Sequence, residues 1–156
     1  AGAVALHAAF RWPLRLPGHH GLEWMALLLL GRCASSYRWA ASVSSVSAAA
    51  FSALPVWGFD DPFIWLIYTL PGLVIDGGFG VARGWQQKIW FLAILGGGAH
   101  ATKPLVRLVI SILSGWPYGS LLYGVAYPLA THVLFGVLGG LLGATLVLGT
   151  RRKRDH

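Results

Sequence analysis

The chain has 156 residues, 56% of them hydrophobic and only 11% charged. Soluble domains carry roughly 25% charged residues, so this composition is too poor in charge to clothe a water-facing surface. The net charge of +7 does not point to nucleic acid, because four of the twelve basic residues form RRKR at 151–154, beside a hydrophobic segment, where positive charge orients membrane spans.

Eight Trp and 21 Gly fit a polytopic helical membrane protein, in which Gly is frequent and Trp marks the interfaces. The expected fold is all-α: a bundle of about six transmembrane helices forming one domain over 1–150, followed by a basic cytoplasmic tail at 151–156. The first segment covers 1–14 and carries Ala1, Ala5 and Ala9 on one face. The second covers 20–32, the third 38–54, the fourth 62–82, the fifth 86–114 and the sixth 118–149. A full span needs about 20 apolar residues; the last three segments reach that length and the second and third are short. A hairpin of the first two segments that stays on one side of the membrane is the alternative topology.

Charge in the connections supports six spans. Arg32 and Arg38, then Arg83 and Lys88, then the tail alternate with a connection holding Asp60 and Asp61 and with the uncharged GWPYG. The positive-inside rule makes the basic connections cytoplasmic, with both termini on that side. The stretch RWPLRLPGHHGLEW, 11–24, then lies outside although it carries Arg11 and Arg15. An arginine pair against the rule favours a role in recognition over that of a connector.

Ionisable groups inside spans are costly and mark function or pairing. In the fifth segment His100, Lys103 and Arg107 are spaced three and four apart, which places them on one helical face. Tyr123 and Tyr127 share a face of the sixth segment. Together with Arg11, Arg15, His19 and His20 they make up the expected binding residues, an excess of positive charge with aromatic walls suited to a small anionic or carboxylate-bearing molecule. Asp76 is expected to pair with Arg83, Lys88 or a backbone group. Asp60-Asp61 reads as a helix cap for the fourth segment. Small residues, with Gly136, Gly139, Gly140 and Gly143 in the sixth segment, favour close helix packing in lipid.

Catalytic signatures are missing from the sequence: it has no HExxH, GxSxG or P-loop, and no Cys/His pattern of zinc spacing. No catalytic residue, metal or cofactor is expected. The single Cys33 reads as a small packed residue, and His7 and His132 as bundle histidines before pigment ligands.

The pattern resembles the substrate-capture (S) components of energy-coupling factor (ECF) transporters. Ala1, Ala5 and Ala9 match the small-residue face by which the first helix of that family docks a coupling transmembrane subunit. RLPGHHG, 15–21, falls where the family has a lid loop, and LPGLVID, 70–76, and THVLFGVLGG, 131–140, are similar in style to its fourth and sixth helices. The resemblance implies six helices in a bacterial inner membrane, an outward-facing pocket formed by helices 4 to 6, and a partner ATPase pair. The alternative is a structural subunit of a photosynthetic or respiratory complex that packs neighbouring helices, lipids or pigments. An intramembrane enzyme pairing His132 with Asp76 is a third, weaker reading.

Overall fold

A computed structural model describes residues 17–54, 61–122 and 124–152. Arg11, Arg15, Tyr123, the first expected segment with Ala1, Ala5, Ala9 and His7, Asp60, and the tail beyond Arg152 lie outside the described residues.

The described chain is all-α. Helix α1 is Gly21–Ala34, α2 is Ala40–Ser52, α3 is Ile64–Val81, α4 is Ile89–Ser114 and α5 is Ala126–Arg152, with a short 3-10 turn at Gly119–Leu121 before α5. α4 and α5 form the most extensive pair; α1 packs on α5, and α2 on α3.

Local chemistry sets the ends. α1 follows a turn in which Gly18 has φ +80° and its carbonyl accepts from Gly21 N–H at 2.8 Å. α4 closes at Gly115, φ +69°, the left-handed stop that glycine adopts at no steric cost. The sixth segment was expected from residue 118, but its helix begins at Ala126. Gly124, at φ +91°, breaks the chain there, and Pro128 then falls in the first helical turn, where its missing N–H is harmless.

Glycine brings three helices into backbone contact. A Cβ on Gly96 of α4 would lie 2.5 Å from Gly136 O of α5, and one on Gly140 2.5 Å from Leu92 O. On the other side of α5, a Cβ on Gly139 would lie 2.6 Å from Leu22 O of α1. The Gly-rich stretch of the sixth segment is thus spent inside the bundle. These contacts also fix the depth of α1: it runs parallel to α5 and starts level with the middle of α4 and α5.

Two helices, Ile64–Val81 and Ala126–Gly149, are long and apolar enough to cross a membrane. Each is 39% buried within the bundle. Leu134, Leu138, Leu142 and Leu146 recur every fourth residue on α5 and are all exposed, as are Ile94, Val109, Ile112 and Leu113 on α4. Exposed Trp39, Trp85 and Trp90 cluster with Arg38, Arg83 and Lys88 at one end, here termed the basic end; Trp65 and Trp116 are exposed at the opposite end. Aromatic girdles of this kind mark bilayer interfaces.

Candidate functional site

The polar side chains inside the bundle form two separate groups. Towards the basic end, Asp76 of α3 is 4% exposed. Its carboxylate accepts from Ser42 N–H at 2.7 Å, Ser42 Oγ at 2.6 Å and Ala41 N–H at 3.3 Å, and pairs with Arg32 Nε at 2.9 Å. Ala41 and Ser42 are in the first turn of α2, so Asp76 serves from a neighbouring helix as the cap that Trp39 cannot supply. The Arg32 guanidinium also lies over the Phe79 ring, 4.6 Å from its centroid. Asp76 therefore has a backbone partner, as expected, but its cation is Arg32 in place of Arg83 or Lys88.

The second group climbs α4 from its middle towards the opposite end. His100, at 1% exposure the most enclosed, donates through Nε2 to Gly18 O at 3.1 Å, because a carbonyl can only accept. Its Nδ1 is thereby left as an acceptor, and it is buried with no partner among the described residues. The His132 ring stacks on His100 with centroids 4.7 Å apart, and its Nδ1 donates to Pro128 O at 2.7 Å.

One turn further along α4, Lys103 is 9% exposed. Its Nζ stands 4.3 Å from the Tyr68 ring centroid and 5.6 Å from that of Trp24, and those two rings meet edge to face at 5.8 Å. Among the described residues the only ion pair is Arg32–Asp76, so Lys103 has no carboxylate. Cation–π contacts contribute about 0.5–2 kcal/mol, whereas burying an ammonium costs several kcal/mol. The rings offset only part of that cost. Snorkelling does not relieve the rest: side chains on a helix tilt towards its N-terminus, which for α4 is the basic end, so Lys103 is directed into the bundle. Trp24, 7% exposed, has its indole Nε1–H buried and unpartnered among the described residues, as does Arg107 with its Nε.

The column ends under the connection between α4 and α5. Arg107 lies 5.5 Å from the Tyr118 ring centroid, and the Tyr118 hydroxyl donates to Asp61 Oδ1 at 3.2 Å. The Tyr118 phenol is pushed up to about 12, first by burial, then by the neighbouring Asp61 carboxylate. Trp116 meets Phe63 edge to face at 6.2 Å, a second clasp between the same two connections. Asp61 Oδ1 also accepts from Phe63 N–H at 2.9 Å, closing a local turn ahead of α3; the expected side-chain helix cap is absent.

Of the expected binding residues, Lys103 and Arg107 share this column. His19 and His20 lie in the turn beside it with ring centroids 3.7 Å apart. Tyr127 is 54% exposed, on the surface at the start of α5. The described part of the expected lid, 17–20, is a floor and not a cover: Gly18 is hydrogen-bonded to mid-helix His100, and a Cβ on Gly18 would lie 2.7 Å from His132 Nδ1. Trp24, Tyr68, His100 and Tyr118 were not among the expected binding residues.

Asp76 and His132 belong to different groups and do not pair. No group of three or more His, Cys, Asp and Glu able to hold a metal occurs among the described residues. A cavity of ≈130 Å³ lined by Arg32, Cys33 and Phe79 among others and an open one of ≈320 Å³ along residues 81–85 both lie at the basic end, away from the column, and only the second reaches the roughly 300–1,000 Å³ of small-molecule sites. Compared with known proteins, the chain matches no protein family, no curated protein and no solved structure.

Proposed function

We propose that this chain captures a small anionic solute inside a membrane, as the solute-binding member of an ECF-type transporter that depends on a coupling transmembrane subunit and ATPases. The observation that carries the reading is Lys103: a buried cation with no carboxylate partner among the described residues, next to donors of Trp24 and Arg107 that are likewise unpartnered among them. A membrane protein tolerates such a charge where function requires it. The glycine contacts of α1, α4 and α5 close the bundle beneath His100, so the polar column is blind. That suits capture from one side better than conduction across.

Orientation follows from charge. With Arg32, Arg38, Arg83 and Lys88 at the cytoplasmic face of a bacterial inner membrane, the column lies in the outer half, beneath the contact of Tyr118 with Asp61. α1, which starts level with the middle of α4 and α5, then reaches from mid-depth to the cytoplasmic face without crossing, and α3 and α5 are the helices long and apolar enough to span.

A second reading, a structural subunit of a larger membrane complex, is favoured by the exposed stripe Leu134, Leu138, Leu142 and Leu146, which could pack against a neighbouring helix. Purification in mild detergent followed by mass spectrometry of what remains bound separates the two. A releasable small acid, with or without an ATPase module, supports capture. A large assembly carrying pigment or haem and no exchangeable ligand overturns it.

A further inference from the structure

The hydrogen-bonding inventory of the column narrows the ligand. Lys103 Nζ and Trp24 Nε1 can only donate, and both belong to side chains more than nine-tenths buried. Together they present donors from two helices within one aromatic cluster, since Nζ is 5.6 Å from the Trp24 ring. One turn towards the middle of α4 the polarity reverses. His100 Nε2 is committed to Gly18 O and His132 Nδ1 to Pro128 O, so each neutral ring has only an acceptor nitrogen left. His100 Nδ1 is buried without a partner among the described residues. A ligand that satisfies this column must accept beside Lys103 and donate beside the histidines.

Resting on the capture reading above, we infer that the ligand is a small monocarboxylate that also carries a hydroxyl or N–H group. Its carboxylate is held by Lys103 and Trp24, its donor by His100 Nδ1 or by the free nitrogen of His132, and its apolar body lies along Tyr68 and Trp24. A phosphate is a poorer match. Beside Lys103 the walls are the Tyr68 and Trp24 rings, which desolvate its greater charge without return.

The test is calorimetric titration of the full chain in lipid nanodiscs with four probes: benzoate, para-hydroxybenzoate, benzyl alcohol and inorganic phosphate. Both acids are expected to bind, para-hydroxybenzoate roughly tenfold tighter for one added hydrogen bond to a buried acceptor. Lys103→Met should abolish both. Trp24→Phe, which keeps the ring and removes the N–H, should weaken both roughly tenfold. Whichever of His100→Phe and His132→Phe removes the acceptor in use should erase the preference for the hydroxyl; a preference that survives in both would overturn the assignment of the donor to the histidines.

Phosphate binding as tightly as the acids, in a Lys103-dependent manner, would overturn the carboxylate assignment and leave anion capture standing. Benzyl alcohol binding as well as the acids, with Lys103→Met indifferent, would overturn both. Binding of none of the four at millimolar concentration would overturn the inference, while a co-purified acid of another type would still support capture.

Discussion

Asp76 and Lys103 are both charged side chains buried in the bundle, yet one is saturated and the other is not. Asp76 has a guanidinium, a hydroxyl and two backbone N–H groups; Lys103 has two aromatic faces. A charge met on all sides ties helices together, and here it joins α1, α2 and α3. A charge met only by rings does not contribute enough to offset its desolvation. The basic half of the molecule is therefore the clamp, and the opposite half holds the proposed site.

Removing each charge should give opposite results. Asp76→Ala leaves the partly buried Arg32 without its carboxylate and the first turn of α2 uncapped, and should cost about 2–4 kcal/mol, read as a large drop in thermal midpoint in detergent. Lys103→Met should leave that midpoint unchanged or raise it, because an unpaired buried ammonium gives way to an isosteric apolar chain, while affinity for the anionic solute falls by about a hundredfold or more, the scale of a lost charged hydrogen-bond set. A Lys103→Met protein that unfolds like Asp76→Ala would erase the distinction between the two halves.

The seal between the halves can be tested separately. A Cβ on Gly136 would lie 2.5 Å from Gly96 O and 2.9 Å from Gly97 Cα, so Gly136→Ala must part α4 from α5. It should cost about 1–3 kcal/mol in the same melting assay and weaken solute binding by displacing His100 and His132.

How far the sequence reveals this architecture depends on the range of the interaction involved. The face shared by His100, Lys103 and Arg107 follows from spacing within one helix, and so does the role of the Gly136–Gly143 stretch in packing. Trp24 and Tyr68 were not legible as site residues because their contacts cross from α1 and α3 to α4. Pairing of Asp76 with a cation could be anticipated, but the choice of Arg32 depends on where α1 ends against α3. The exposure of Tyr127 has a local cause: the break at Gly124, φ +91°, starts α5 at Ala126 and not at the expected residue 118. The depth of residues 17–21 is not encoded in their own sequence; the glycine contacts of α5 with α1 set it.

The smallest expected effect lies at the mouth of the column. Tyr118→Phe removes the hydroxyl that donates to Asp61 and should cost about 0.5–1.5 kcal/mol, with faster solute exchange in stopped-flow measurements. Because the folded-state phenol is raised from 10.0 to about 12, the contribution of this contact is fully present below about pH 10 and is lost as pH rises through about 12. The phenylalanine variant should lack that alkaline transition.

The most direct measurement of the central claim is native mass spectrometry of the full chain purified in mild detergent, wild type beside Lys103→Met, with thermal midpoints taken on the same samples. The account predicts a small acidic molecule retained by the wild type and absent from the variant, at an equal or higher midpoint for the variant. The same bound mass in both proteins, or a variant that has lost its fold along with its ligand, would contradict it.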